Sequence, residues 1–179
     1  MDYSIENFER KHDKVICIDS DGTMIDAMNV KHEKCHGDTF IKIFDLSDHA
    51  KEIHEIWDSI NLYEKSRGVN RFIAIIEMLK RIDGKYLDVD KNELAAFAEW
   101  VEKGSLSHKA VAEEYEIHPT PLLKKIVDWS YELNQRISML TPEDKPPFEN
   151  GKEALEYALG RSDIAIISSS NMAAIVEEW

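Results

Sequence analysis

The sequence predicts an α/β protein in which a small parallel sheet is interrupted by a large helical insertion. The first observation is an apolar run, Val15–Ile18, that leads directly into the carboxylates of Asp19 and Asp21. The second is the stretch 29–140, where apolar residues recur at helical spacing over several successive segments. The third is another apolar run at 164–167, which ends in consecutive serines. Together these observations indicate two strands of one sheet, separated in the chain by a helical domain.

The first strand has no polar alternation, so we expect both of its faces to be buried, as in a central parallel strand. Gly22 ends the segment, because glycine tolerates the backbone angles of a sharp turn. Asp19 and Asp21 then lie at the carboxyl end of a buried strand, the edge where open α/β sheets bind ligands. Carboxylates beside a core are unfavourable unless a cation, a hydrogen-bond network or a reaction accounts for them. This stretch is therefore the first candidate for function.

Three interpretations of the two carboxylates compete. A calcium-binding EF-hand loop shares the pattern Asp-x-Asp-Gly, but aligning Gly22 with the glycine of that loop places Cys17 and Met28 at ligand positions. A surface turn would use the acids only to accept backbone N–H bonds, although such a turn needs no apolar run before it. The third interpretation is a nucleophile beside an acid/base, with Mg²⁺ holding the site together. The residue types and their position favour the third.

The segment 18–28 contains Asp19-Ser20-Asp21-Gly22-Thr23 and resembles the first motif of the haloacid dehalogenase (HAD) superfamily, mostly phosphotransferases and phosphatases. Ser20 departs from the pattern, because most members have a larger apolar residue there. The resemblance implies a Rossmann-like core in which Asp19 forms an aspartyl-phosphate and Asp21 is the general acid and base. It implies Mg²⁺ as cofactor, held by the Asp19 side chain and the Asp21 backbone carbonyl. An acid at Asp21 also argues against carbon–halogen cleavage.

Helical periodicity dominates 29–140, and each apolar stripe there predicts the core face of a helix in a bundle. Ser47 or Asp48 is expected to cap the first of these helices, and Pro119 and Pro121 lead into the longest. The stripes comprise Ile53, Ile56, Trp57 and Ile60; Phe72, Ile73, Ile76, Leu79 and Ile82; Leu94, Phe97, Ala98 and Val101; and Leu122, Leu123, Ile126, Val127, Ser130, Leu133 and Ile137.

A helical insertion directly after the first motif is similar to HAD caps of the all-helical type, which close over the catalytic edge and select the substrate. We therefore expect residues 1–28 to form the first strand and catalytic loop, and 29–140 to form the cap. Residues 141–179 are expected to complete the core with a proline-rich linker, a helix over 149–159 and the second strand.

The second apolar strand ends in Ser168, Ser169, Ser170 and Asn171. This resembles the second HAD motif, an apolar strand that ends in Ser or Thr. It implies that Ser168 donates to a non-bridging phosphoryl oxygen, together with the Ser169 backbone N–H. The simpler alternative is that these residues cap the helix that follows, and Ser170 or Asn171 serves that role in either case. The preceding motif and insertion favour the functional interpretation.

Two clusters in the helical stretch are weaker candidates. Arg67 and Arg71 flank a glycine between two predicted helices, where a cap would reach the substrate, and arginine suits bidentate recognition of carboxylate or phosphate. The alternative is that both are solvated or paired with glutamates. His32, Cys35 and His36 share one helical face at metal-capable spacing, but no fourth ligand is evident. We expect that face to be a partly exposed surface near the entrance to the cap.

Composition narrows the function classes. A net charge of −13 disfavours nucleic-acid binding, and no basic patch with interleaved aromatic residues is present. The two cysteines do not indicate a disulfide framework, which favours a reducing interior. No apolar run approaches the roughly 20 residues that a membrane span needs, and residues 1–14 do not resemble a signal peptide. We expect a soluble, cytoplasmic protein.

The resemblance also implies later motifs, a lysine and further acids that complete the Mg²⁺ site, on strands beyond the second motif. The chain ends at Trp179 without them, so the sequence predicts an amino-terminal portion of a longer enzyme or one half of a split one. The predicted activity is hydrolysis of a small phosphorylated metabolite. A phosphomutase or a phosphonatase-like enzyme shares the motifs, and a catalytically incomplete fragment or helical interaction module is the non-enzymatic alternative.

Overall fold

The computed structural model describes residues 8–104, 106–168, 170, 172, 175–176 and 179. It is a mixed, mostly helical structure with a two-stranded parallel sheet. The strands are β1 (Val15–Ile18) and β2 (Asp163–Ile166). The helices are α1 (Met28–Val30), α2 (Asp38–Phe44), α3 (Ala50–Asp58), α4 (Arg71–Ile82), α5 (Lys91–Lys103), α6 (His108–Ile117), α7 (Pro121–Ser138) and α8 (Gly151–Leu159). Wider π-helical turns at Lys31–Gly37 and Ser59–Tyr63 join α1 to α2 and extend α3.

The chain divides into two compact units, one formed by 1–27 with 141–179 and the other by 28–140. We call them the strand unit and the helical unit. Among the described residues, no helix is both long enough and apolar enough to cross a membrane.

The two strands of the strand unit pair in parallel, from Val15 opposite Asp163 to Ile18 opposite Ile166. The ladder continues one bond further, because the N–H of Ile167 donates to the carbonyl of Ile18 over 2.8 Å. The carboxyl ends of β1 and β2 therefore meet at one edge of the sheet. Residues that follow either strand are brought together there.

The expected burial of β1 is wrong. Val15 is 54 % exposed and Ile16 is 40 % exposed, and Cys17 is exposed as well. In the described part of the chain β1 has β2 as its one neighbouring strand, so the side chains of β1 are not covered on both faces. An apolar run shows that a strand is able to be buried, but it does not supply the layers that would bury it.

A tight turn follows β1 and connects to the linker that returns from the helical unit. The carbonyl of Ser20 accepts hydrogen bonds from the N–H groups of Thr23, Met24 and Ile25, at 3.0 to 3.2 Å. Gly22 has a φ of 77°, which an L side chain rarely adopts. The linker then runs antiparallel to the end of this turn, with the N–H of Asp26 bonded to the carbonyl of Pro146 and the N–H of Phe148 bonded to the carbonyl of Met24.

The core of the helical unit is built on the predicted apolar stripes. Trp57 and Trp129 are fully buried at its centre, with ring centroids 5.7 Å apart. Phe40 stacks on Trp57, and Phe72 meets Trp129 edge-on. Ile73 is the departure from the α4 stripe, at 44 % exposed, because the buried face of α4 is centred on Phe72, Ile76 and Leu79 instead.

The helix ends follow local capping chemistry at most positions. Asn70, Asp90, Ser107 and Thr120 accept backbone N–H bonds at the starts of α4, α5, α6 and α7. The predicted cap of α3 at Ser47 or Asp48 is wrong, because 47–49 forms a 3₁₀ turn and α3 begins at Ala50 without a side-chain cap. The helix expected from residue 149 begins at Gly151, since Asn150 has a left-handed backbone.

Candidate active site

The two carboxylates of the first motif lie at the carboxyl edge of the sheet. Asp19 is the first residue after β1; its side chain is exposed, and its Oδ2 accepts a hydrogen bond from the Thr23 hydroxyl over 3.1 Å. Asp21 is half-buried in the turn, where its backbone makes a bridge with Ile25. The Thr23 hydroxyl therefore orients the Asp19 carboxylate from within the same loop.

A serine that follows β2 reaches this loop. The hydroxyl of Ser170 donates to Oδ2 of Asp21 over 3.0 Å, across 149 residues of sequence. A hydroxyl donor stabilises the ionised carboxylate and holds its orientation. The serines after the second strand and the acids after the first are therefore neighbours.

The structure adds a contact that the sequence does not predict: Ser170, expected only as a possible helix cap, donates to Asp21. The Oγ of Ser168 accepts the N–H of Ser170 over 3.1 Å, which leaves the Ser168 hydroxyl proton available for donation. The prediction that Ser168 binds a phosphoryl oxygen stays a prediction. Ser169 lies outside the described residues, as does Asn171.

Ser20, the residue that departs from the HAD pattern, has a defined environment. It is fully buried, and its hydroxyl accepts a hydrogen bond from Nε1 of Trp179 over 2.9 Å. A larger apolar residue at this position would leave the indole N–H without this acceptor. The motif alone did not predict the contact, because Trp179 is distant in sequence.

The side chains of Asp19, Asp21 and Ser170 at this edge offer oxygen atoms as possible metal ligands. Oxygen is the ligand type that Mg²⁺ prefers. The described residues contain no group of three or more His, Cys, Asp or Glu side chains arranged to hold a metal. Mg²⁺ commonly uses one or two carboxylates and completes its shell with water and phosphate oxygens. The carboxylate of Asp19 and the backbone of Asp21 fit that requirement in chemistry, and Mg²⁺ binding stays a prediction.

Arg67 and Arg71 belong to the helical unit and differ in environment. Arg67 is exposed on the turn before α4, and its N–H donates to the carbonyl of Glu64 over 3.1 Å. Arg71 is the first residue of α4, and its Nη1 donates to Oδ1 of Asn134 over 2.7 Å. Burial lowers the pKa of Arg71 from its ordinary value. The structure therefore separates the two: Arg67 faces solvent, whereas Arg71 reaches α7.

The expected exposed face with His32, Cys35 and His36 is wrong. Cys35 is 2 % exposed and His36 is 7 % exposed. The rings of His32 and His36 stack with centroids 4.4 Å apart, and Nε1 of Trp57 donates to Nδ1 of His32. The wide π-helical turn that carries these residues packs them against α3 and α7, so the face is interior rather than an entrance.

No protein-family model matches the chain, and the searches of curated proteins and of solved structures returned no match.

Proposed function

We propose that this protein is a Mg²⁺-dependent phosphohydrolase of the HAD type, with Asp19 as nucleophile and Asp21 as general acid and base. The observation that carries the proposal is the contact between Ser170 and Asp21. It unites the acids after one parallel strand with hydroxyls after its neighbour. A carboxylate pair beside hydroxyl donors at such an edge suits phosphoryl transfer, where catalysis depends on positioning and on stabilising charge.

The reaction divides into two displacements. In the first, an oxygen of Asp19 attacks phosphorus in line, the bond from phosphorus to the leaving oxygen breaks, and Asp21 gives its proton to that oxygen. In the second, Asp21 takes a proton from water, which attacks the aspartyl-phosphate and releases inorganic phosphate and Asp19. Mg²⁺, when bound, would neutralise phosphoryl charge, and the Asp19 side chain and the Asp21 carbonyl would be its protein ligands.

The neighbouring hydroxyls have separate tasks in this scheme. Thr23 holds one oxygen of Asp19, so the other oxygen is directed to the phosphorus. After the first displacement has taken the proton of Asp21, the Ser170 hydroxyl donates to the resulting carboxylate and holds its orientation, which readies Asp21 to accept the proton of the attacking water. Ser168 donates to a non-bridging phosphoryl oxygen, and the backbone N–H of Ser169 is assigned the same role from the motif.

A small phosphorylated metabolite is the proposed substrate class. Arg67, the exposed member of the arginine pair, is the cationic side chain proposed to select it, whereas Arg71 reaches α7 instead. The net charge of −13 makes a polyanionic substrate unfavourable. The helical unit is proposed to act as the cap that excludes water from the aspartyl-phosphate.

The test is hydrolysis of p-nitrophenyl phosphate by the full chain with and without Mg²⁺. Asp19→Asn is expected to abolish turnover, and Asp13→Asn, a fully exposed carboxylate just before β1, is the matched control that keeps it. A second measurement is independent of turnover: beryllium fluoride should form a complex at Asp19 that ¹⁹F NMR detects, and Asp19→Asn should lose it. If the chain neither hydrolyses the ester nor forms this complex, the proposal is wrong.

A further inference from the structure

The starts of α4 and α6 lie side by side in the helical unit. Asn70, the cap of α4, uses its Nδ2 to donate to the carbonyl of Leu106, directly before the α6 cap Ser107. Arg71 and His108 are the first residues of the two helices. The start of an α-helix carries partial positive charge and outward N–H groups, so two such ends with a cation form an electropositive region.

One face of α7 contributes polar groups to the same region. Asn134 binds Arg71, and the ring of Tyr131 lies 6.1 Å from the ring of His108. Ser130 is one turn before Asn134 on that face. It is fully buried, and within the described chain its hydroxyl has no hydrogen-bond partner. A buried hydroxyl without a partner is rare in a helix core and calls for a ligand or an ordered water.

His36 packs against α7 at Trp129. Its carbonyl accepts from Nε1 of Trp129, the neighbour of Ser130, and its ring centroid is 6.0 Å from that of Trp129. Its Nδ1 is buried and, among the described residues, has no partner; the same is true of Nδ1 of His108. His36, His108 and Ser130, which come from three elements, thus each carry a buried polar atom without a hydrogen-bond partner in the described part of the chain.

The charge in this region is positive. Burial lowers the pKa of His36 well below its ordinary value, and the charges of His32, Arg71 and Lys31 add to that effect. Burial and then Arg71 lower the pKa of His108 in the same direction. Among the described residues, no carboxylate forms an ion pair with Arg71, whose bonded neighbour is the neutral amide of Asn134. A guanidinium that is partly removed from water without an anionic partner is an unusual arrangement.

We propose that Arg71, His36, His108, Ser130 and Asn134, which we call the Arg71 cluster, bind the oxyanion of a small ligand. An oxyanion accepts hydrogen bonds from all of these groups, and the planar guanidinium matches carboxylate and phosphate oxygens equally well. The ligand class is therefore a small molecule with one carboxylate or one phosphate. The site consists of residues of the helical unit and does not rest on the chemistry proposed for Asp19.

The test is an NMR titration of the full chain with inorganic phosphate and, separately, with acetate, at constant ionic strength over the millimolar range. The probe is the side-chain N–H signals of Arg71 and Asn134. Saturable shifts with either anion support the site, and the anion that causes them identifies the ligand class. Shifts with neither anion overturn the proposal.

Two variants make the result specific. Arg71→Met is expected to weaken binding at least about tenfold, because it removes a charge-assisted hydrogen bond. Lys65→Met, an exposed cation on the turn before α4, is the control and should bind as the wild type does. If Arg71→Met reduces folding as judged by circular dichroism, Ser130→Ala is the second variant: it should weaken binding and leave stability unchanged. If a folded Arg71→Met or Ser130→Ala variant binds the anion with the same affinity as the wild type, the proposal is overturned.

Running the titration also in the Asp19→Asn background separates the two sites. The Arg71 cluster should keep its affinity there, whether or not the phosphohydrolase proposal is correct. Phosphate shifts that disappear with Asp19→Asn and survive in Arg71→Met would belong to the sheet edge and would contradict the site in the helical unit.

Discussion

Replacing His36 with leucine should remove a specific pH dependence of stability. His36 is buried among the rings of His32, Trp57 and Trp129, and its Nδ1 has no partner among the described residues. Burial first, and then the neighbouring cations, lower its folded-state pKa well below 6.5. Between those two pKa values only the unfolded chain takes up a proton at this position.

The sign and the size of the pH dependence follow from the difference between the folded and unfolded pKa of His36. The contribution of a neutral His36 to stability is fully present above about pH 6.5, the pKa of an unfolded histidine, and it is lost as the pH falls towards the folded pKa. Each pH unit in that window lowers the free energy of unfolding by up to about 1.4 kcal/mol. From about pH 7.5 to about pH 5.5, the total loss from this one residue is at most about 1.4 kcal/mol, the value for a His36 that stays neutral in the folded chain.

The assay is urea denaturation followed by circular dichroism at both pH values. Over that interval His36→Leu should lose less stability than the wild type, by up to about 1.4 kcal/mol. His108, which shifts in the same direction, stays in both proteins and cancels. Phe40→Leu is the matched control: it removes a fully buried ring that also stacks on Trp57, so it should lower stability equally at both pH values. If His36→Leu shows the wild-type pH dependence, the reasoning is refuted.

Three further outcomes test the helical unit. Arg81→Gln should raise the pKa of Glu64 from about 2 towards 4.5, because the side-chain hydrogen bond from Arg81 is the main cause of the lowered value. Carbon NMR of the Glu64 carboxylate measures this pKa, and an unchanged titration would contradict the ion pair. Asp90→Ala should lower the free energy of unfolding by about 1 kcal/mol through loss of the α5 cap. Ile126→Ala, at a fully buried site, should lower it by about 2–5 kcal/mol, and a loss under about 1 kcal/mol would contradict that burial.

The helices could be predicted because the spacing of apolar residues along a helix follows directly from which side chains are buried. The stripe positions Trp57, Phe72 and Ile126 are fully buried in the structure. The apolar period predicts burial wrongly where the apolar stripe is wider than the face that packs on the core. Ile73 is an example. The period also carries no information on how many layers cover a strand, which is why the exposure of β1 was not anticipated.

The candidate sites show a sharper limit. Asp19 and Asp21 could be identified from the sequence, because both lie in one contiguous segment directly after β1. The contact between Ser170 and Asp21 could not be predicted, because the turns after the strands, and not the strand pairing, decide which residues of the two loops meet. Part of the Arg71 cluster is predictable, because Arg71 and His36 are each candidate residues in the sequence. Their connection through α7 depends on packing between elements that no sequence spacing encodes.

The strand unit raises the question of what positions the candidate site at the sheet edge when β1 is so exposed. A two-stranded sheet is marginal by itself, so hydrogen bonds must supply the order that burial does not. Asp163 at the start of β2 accepts the N–H groups of Lys11 and His12 and contacts the His12 ring at 3.0 Å. Burial would raise the pKa of Asp163, but these bonds outweigh it and lower the pKa below 3.8.

The sign of that shift matters for the site at the other end of the strand. Stability from an ionised Asp163 is present above its ordinary pKa and is lost as the pH falls through the lower folded value. The segment before β1 therefore stays tied to β2 throughout the neutral range, and the turn at Ser20, with its carbonyl accepting three N–H groups, fixes the far end. Because both ends of β1 are held by polar contacts, the register that brings Ser170 to Asp21 does not depend on a deep apolar core. The geometry proposed for phosphoryl transfer is thus maintained by hydrogen bonds.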